Sequence, residues 1–345
     1  MAAGSEGVDN FEVQKARIMV IGVGGGGNNT VSALATRGVS GATTVVMNTD
    51  ANHLSISKAD HRLLIGKNLT KGLGAGGYPQ MGKDAALESK NEIRELLQGV
   101  DLVFLTCGLG GGTGTGATPV VGRIAKECGA IVIAAVTLPF KLEGARMGKA
   151  EEGLAELRKS TDTVIAIENQ RLLQIGGKMP LKQAFSVADD LFATMIKGIT
   201  ETISEPSLVN LDYADVRALM RAGGVAMIGI GISDSDNRAE EAINFALNNP
   251  LLDVDYTGAA GALIQVIGGE DLKLEEITKI GERVQQHLDP NAQCMWGARI
   301  LPEYKHKIQV ITIITGVKSP FILGKMQEKS PNQQKMSKQL GIEML

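Results

Sequence analysis

The stretch "CGLGGGTGTGATP", Cys107 to Pro119, carries six glycines and three threonines. Glycine weakens regular structure by roughly 0.5–1 kcal/mol relative to alanine, so such a cluster marks main chain that turns tightly or lies close to something else. A linker, a structural turn and a cradle for phosphate are the three readings open to it. Upstream, "DLVFLTCG" (101–108) reads as a strand. Downstream, "ATPVVGRIAKECG" (117–129) reads as a helix, with Pro119 near its start and Gly129 placed to end it. A loop bounded by strand and helix is not a linker.

Working outward, a second glycine loop, "VIGVGGGGNNT" (20–30), follows the first strand-like run, "RIMVIGVG" (17–24). Further apolar runs lie at 43–48, 62–66, 130–139 and 162–169. Most lack alternation, as expected of strands buried on both faces of a parallel sheet. Helix-like segments lie between them, and the pattern to about residue 180 is a doubly wound α/β fold. A long amphipathic segment, "LKQAFSVADDLFATMIKGITETIS" (181–204), predicts a central connecting helix stopped by Pro206. Strand-like runs at 225–232, 261–269, 292–300 and 307–317, with helix-like segments at 238–250 and 274–288, predict a second α/β domain. The expected division is a flexible N-terminus (1–13), a nucleotide domain (14–180), the central helix (181–205), a C-terminal domain (206–318) and a flexible tail (319–345).

Composition excludes several classes. The 345 residues, 43% of them hydrophobic, exceed the size at which one core usually serves, so two domains are expected. With 35 Lys and Arg against 38 Asp and Glu, there is no basic field for nucleic acid. The three cysteines are far apart and odd in number, which disfavours both a disulfide framework and a cysteine metal site, and His53, His61, His287 and His306 show no ligand spacing. "MAAGSEGVDN" has no apolar signal core and "AIVIAAV" is too short to span a bilayer, so a cytoplasmic protein without membrane insertion is expected.

Gly22, Gly24 and Gly27 satisfy G-x-G-x-x-G, and Asp50 follows the second strand where a ribose-binding acid would lie, which alone suggests a nicotinamide oxidoreductase. That reading leaves the richer second loop unexplained, whereas two glycine loops on one sheet edge can surround a polyphosphate. Thr113 and Thr115 add hydroxyls, and a helix starting near Ala117 would aim its N-terminus at the anion. "GYPQMGKD" (77–84) matches G-x-x-x-x-G-K, but Asp84 stands where a P-loop needs Ser or Thr for magnesium.

With "GGGTGTG" (110–116), "IGVGGGGNN", "NTDAN" (48–52), "GLGAGGYPQMG" (72–82) and "NLDYADVRALM" (210–220), the chain resembles the FtsZ family of the tubulin superfamily over residues 14–318. "LPFKLEGARM", "RAEEAINFALNNPLLDVD" and "MWGA" resemble its archaeal branch. The resemblance implies a tubulin-like fold and a GTPase that assembles head-to-tail into filaments of the division ring, with GTP, GDP and Mg²⁺ as ligands. A non-hydrolysing structural or regulatory member of the superfamily is the alternative.

Carried over position by position, it implies that Gly24, Gly25, Gly26, Gly27, Asn28 and Asn29, together with Gly110, Gly111, Gly112, Thr113, Gly114, Thr115 and Gly116, hold the α- and β-phosphates. Asn48 and Asp50 join the nucleotide set, and Asp50 is read equally as a turn-capping residue. Ala75, Gly76 and Gly77 would sense the γ-phosphate, and Glu143 and Arg146 would lie at the ribose. Asn169 and Asp190 would hydrogen-bond guanine, with Phe185 stacked on it. Asp212 and Asp215, three apart at a helix start, read as N-terminal caps. The resemblance adds that they and Asn210 reach the next subunit's nucleotide and act in hydrolysis. The tail, with Leu340, Ile342, Met344 and Leu345 at its end, reads either as a solvated segment or as a peptide that recruits a membrane adaptor or division protein.

Overall fold

A computed structural model describes residues 16–170, 180–205, 207–209, 211–221, 224–248 and 256–317. The N-terminus, the tail and Asn210 lie outside the described residues, as does the side chain of Phe185.

The first half is built on β1 (Ile18–Val23), β2 (Ala42–Asn48), β3 (His61–Leu64), β4 (Leu102–Gly108), β5 (Ile131–Leu138) and β6 (Thr163–Glu168), all parallel, in the order 3-2-1-4-5-6. Its helices are α1 (Gly24–Arg37), α2 (Ala51–Ile56), α3 (Lys67–Thr70), α4 (Pro79–Glu88), α5 (Lys90–Leu97), α6 (Thr113–Glu127) and α7 (Ala145–Ser160). Strand residues alternate between two cores. Met19, Ile21, Val103 and Leu105 pack toward α5, α6 and α7. Ile18, Val20, Leu102 and Phe104 pack toward α1 and the central helix α8 (Leu181–Ser204). Both faces are dry, which is why these strands read as continuous apolar runs.

The second half holds α9 (Tyr213–Arg221), β7 (Gly224–Ser233), α10 (Arg238–Leu247), β8 (Ala259–Gly268), α11 (Leu274–Gln285), β9 (Leu288–Ile300) and β10 (Ile308–Thr315). Here the sheet is mixed: β10 lies antiparallel between β7 and β8, and β8 runs parallel to β9. Among the described residues the halves join in one ten-stranded sheet through two paired positions, Thr163 with Gly224 and Val164 with Val225. The second-half residues Ile228, Leu263 and Ile311 share a core with Phe192, Ile196 and Ile199 of α8, so the central helix covers one face of both halves.

The order of the first six strands reverses between β1 and β4, and in open α/β sheets the crevice beyond the carboxyl ends at such a switch point is where ligands bind. Both glycine loops lie there, after β1 and after β4.

Candidate functional site

The first loop is itself the first turn of α1, which begins at Gly24, and the second ends in α6, which begins at Thr113 rather than near Ala117. Pro119 therefore sits inside α6, where it removes one backbone donor. Neither helix N-terminus has a side-chain cap or an acidic residue in its first turn. Their free N–H groups and positive dipole ends converge on one cleft, as an anion site requires.

That cleft has a volume of about 760 Å³ and is lined by Gly25, Gly26 and Asn29 of α1, Gly111, Gly112, Thr113 and Gly114 of the second loop, and Glu143, Arg146 and Asn169. Ten of the expected residues are thus brought together. Thr30, Thr137, Ser186 and Asp189 line it as well.

Most of the bare backbone holds the two loops together. A Cβ at Gly24, whose φ is +72°, would lie 2.8 Å from the Gly114 nitrogen, and one at Gly26 would lie 3.0 Å from the Gly108 nitrogen. Gly27 is wedged against the Thr106 carbonyl, and Gly116 against that of Pro79. Only at Gly111 would a side chain meet nothing within 4 Å, because this residue faces the open cleft.

Helical rotation corrects several expectations. On α1, Gly24, Gly27 and Asn28 face the sheet while Gly25, Gly26 and Asn29 face the cleft, following the i, i+3, i+4 pattern. Asn28 is fully buried. In the amide orientation that satisfies both its ends, it donates to the carbonyls of Gly22 (2.9 Å) and Gly24 (3.1 Å) and accepts from Asn48 Nδ2 (3.2 Å). Asn48 Oδ1 in turn accepts from the Thr49 and Asp50 amides. These two asparagines are a scaffold beneath the loops, since neither lines the cleft. Asp50 caps α2, accepting from the His53 amide at 3.0 Å. The Thr115 hydroxyl accepts from the Gly110 amide at 2.8 Å and closes the loop on itself, whereas Thr113 lies at the cleft with its hydroxyl 2.7 Å from that of Thr49.

Ala75, Gly76 and Gly77 do not line the cleft but adjoin it: Ala75 is buried where a Cβ on Gly112 would be 2.8 Å from its own. Their loop is tied to the end of β2 by hydrogen bonds from the Ala51 amide to Gly72 O (2.9 Å) and from the Gly74 amide to Thr49 O (3.0 Å). "GYPQMGKD" is no P-loop, because α4 begins inside it at Pro79 without a preceding strand.

At the far end of the cleft the acid is Asp189, not Asp190. Asp190 points to the exposed side and pairs with Arg37 at 2.6 Å. Asp189 lines the cleft, accepts from Thr30 Oγ1 at 2.5 Å, and burial pushes its carboxyl up to about 6. Asp189 and Ser186, three apart on one helix, both line the cleft. Asn169, just beyond β6, lies buried at the cleft, and its Oδ1 has no hydrogen-bond partner among the described residues. An orphaned buried acceptor is costly unless a ligand completes it. Glu143 and Arg146 form an ion pair at the mouth (2.6 Å), and the second Glu143 oxygen accepts from the Phe140 amide. Cys107 lies in the floor, its thiol pushed up to about 12 by burial and so unreactive.

Asp212 and Asp215 are not part of this cleft. The Asp215 amide donates to Asp212 Oδ1 at 2.8 Å and the Asp212 amide to Asp215 Oδ2 at 3.4 Å, a reciprocal cap on α9 that leaves Asp212 exposed and Asp215 half-buried. Tyr213 donates its hydroxyl to the Asp101 carbonyl, just before β4. The cleft lies at the other end of that strand, whose seven residues span roughly 20 Å. Among the described residues no group of three or more His, Cys, Asp or Glu is placed to hold a metal, and no helix is long and apolar enough to cross a membrane.

Residues 17–177 match the Tubulin/FtsZ family, GTPase domain, and residues 224–318 match the FtsZ family, C-terminal domain. The chain is 55% identical over 317 residues to the cell division protein FtsZ 2 of Methanocaldococcus jannaschii, covering 91% of this chain and 83% of that protein. It is 53% identical over 323 residues to the cell division protein FtsZ 1 of Pyrococcus abyssi, covering 93% and 87%. The solved structure of an empty FtsZ dimer from M. jannaschii superposes with a TM-score of 0.84 at 53% identity, over 88% of this chain and 89% of that one. An oxidoreductase is thereby excluded, and the chain belongs to the FtsZ family of tubulin-like GTPases of cell division.

Proposed function

We propose that this cleft binds GTP with its phosphates on the N-termini of α1 and α6 and its guanine between Asn169 and Asp189, and that hydrolysis is completed by Asp212 and Asp215 of the next subunit in a head-to-tail filament. The observation that carries this reading is the separation of parts: an uncapped anion cleft at one end of β4 and an acidic pair, with Asp212 exposed, at the other. One subunit cannot bring them together.

The donor set fits the ligand. Guanine N1–H and its exocyclic amine meet acceptors at Asn169 Oδ1 and Asp189, whereas adenine offers no such donor pair. Gly25, Gly26, Gly111 and Gly112 let phosphate oxygens approach the backbone, and Ala75, Gly76 and Gly77 stand beside Gly112 to meet the third phosphate. Arg146 reaches the ribose end. Bound with the nucleotide, Mg²⁺ would supply neutralisation of the phosphate charge, since no group of three or more His, Cys, Asp or Glu among the described residues is placed to hold it. Asp212 and Asp215 orient the attacking water: its oxygen bonds to the γ-phosphorus as the bond from that phosphorus to the β,γ-bridging oxygen breaks, GDP leaves with that electron pair, and the water's proton ends on the inorganic phosphate. The solved dimer of the M. jannaschii protein is consistent with pairing of copies. The filament acts at the division site, with partners recruited through the tail.

Mixing two variants tests the shared site. Asp212→Asn with Asp215→Asn keeps the cleft, and Gly111→Val obstructs it at the one loop position where a side chain has room. Each is expected to be inactive alone, and the mixture with GTP and Mg²⁺ is expected to regain turnover. Full activity of the double-asparagine protein alone, or a specific activity independent of protein concentration, would refute the reading.

A further inference from the structure

The loop beside the cleft has a brace that the roles above do not use. Lys149, in the second turn of α7, donates its ammonium to the Gly77 carbonyl at 2.8 Å and lies 5.5 Å from the centre of the Tyr78 ring. Gly76 and Gly77 both have positive φ, +58° and +75°, and the Tyr78 ring is largely exposed; the turn is closed by the Tyr78 amide donating to the Ala75 carbonyl at 3.0 Å, which leaves the Gly77 carbonyl to Lys149. Beneath it, a cavity of about 200 Å³ bounded by Pro79, Lys83, Gly116 and Gly153 separates α4 from α7. Lys149 spans that gap. On the other side the loop is hydrogen-bonded to the end of β2. Lys149 thus adds a side-chain tie, from the helix that also carries Arg146, to a loop otherwise held by backbone hydrogen bonds and the burial of Ala75.

We propose that Lys149 is a positioning residue that sets the 75–77 backbone against the third phosphate, and so sets the preference for GTP over GDP. The proposal rests on the assignment of Ala75, Gly76 and Gly77 to that phosphate. A charged donor to a carbonyl acts on direction as well as distance, and the ring beneath it restrains the lysine stem. When the brace is lost, the Gly77 carbonyl is free to turn and the amides beside it lose their aim. The α- and β-phosphates keep their contacts with α1 and α6.

The test measures Kd for GDP and for a non-hydrolysable GTP analogue with Mg²⁺, in the full-length chain, for Lys149→Met, Lys149→Arg and Gly77→Val. Lys149→Met keeps the apolar stem and is expected to weaken the GTP analogue about 5–10-fold while GDP stays within about twofold, as loss of one charge-assisted hydrogen bond predicts. Lys149→Arg should restore most of the difference. Gly77→Val strains a positive-φ position that has open space around it and reports on the loop independently. If Gly77→Val shifts the GTP/GDP ratio and Lys149→Met does not, the brace is refuted and the loop assignment stands. If neither shifts it, the loop assignment fails and the proposal with it. Equal weakening of both nucleotides by Lys149→Met also overturns the proposal, because it would mark general support of the fold.

Discussion

Replacing Asp189 by Asn should have two effects of opposite sign. Asp189 is largely buried at the cleft, and burial raises its carboxyl from the ordinary 3.8 to about 6. A raised acid is protonated in the folded chain up to about pH 6 but ionised in the unfolded chain above about pH 4. Its contribution is therefore most favourable below pH 4 and is lost as pH rises through 6. Two pKa steps correspond to roughly 3 kcal/mol at most, so the nucleotide-free Asp189→Asn protein should be more stable than wild type at pH 7, by between about 1 and 3 kcal/mol. Its GTP affinity should fall, because an amide offers guanine one acceptor and one opposed donor where a carboxylate offers two acceptors. Loss of the charge-assisted pair predicts about 3 kcal/mol, on the order of 100-fold in Kd. Wild-type affinity should decline as pH falls below about 6, and the variant should be flat across that range. Asp190→Asn removes only a pair whose side chains are 39% and 45% exposed, worth about 0–1 kcal/mol, and should leave affinity within about twofold. Urea melts without nucleotide and titration calorimetry with GDP from pH 5 to 8 read both effects. Affinity lost in Asp190→Asn but kept in Asp189→Asn would refute the assignment.

Gly24→Ala, at φ +72° and against the Gly114 nitrogen, should lower stability by about 2 kcal/mol or more, while Gly111→Ala should keep the melting temperature and weaken nucleotide binding, both read by thermal melts and titration. Changing Asp212 and Asp215 to Asn should alter stability by less than about 0.5 kcal/mol, because Asn caps helices as well as Asp, yet stop phosphate release in assembled protein. Arg238 is buried and holds Glu276 and Asp271, each at 2.7 Å, joining α10 to α11. Arg238→Ala removes both ion pairs, leaving Glu276 with the Lys273 amide and Asp271 with His306, and should lower the midpoint of chemical denaturation.

The strands of the first half were legible because both sheet faces are dry, so β1, β4 and β5 carry unbroken apolar runs. The central helix was legible from its apolar spacing. The start of α6 was not, since "TGTG" has poor helix propensity and becomes helical only because its glycines pack against α4 and the first loop. Tertiary packing also hid the division of labour within each glycine loop. Composition marks Gly24 to Asn29 as one unit, but rotation about the helix axis sends Gly27 and Asn28 inward and Asn29 outward. That Asp189 rather than Asp190 lines the cleft depends on how the helix is rotated against α1, where Asp190 pairs with Arg37, and composition carries no sign of it. Asp212 and Asp215 were read correctly as caps, whereas their distance from the cleft along β4 emerges only from strand order.

The interlocked glycine loops bear on kinetics as well as shape. Two backbones fitted so closely that a methyl group cannot be inserted have few alternative conformations, so the anion cradle stands assembled before any ligand arrives. Binding then requires little ordering of the protein, and the association rate should be limited by the ligand's diffusion and dehydration rather than by loop closure. Release is correspondingly quick unless something covers the mouth. In the proposed filament the neighbouring subunit would supply that cover, and residence time of the nucleotide would then be a property of the assembly rather than of the single chain.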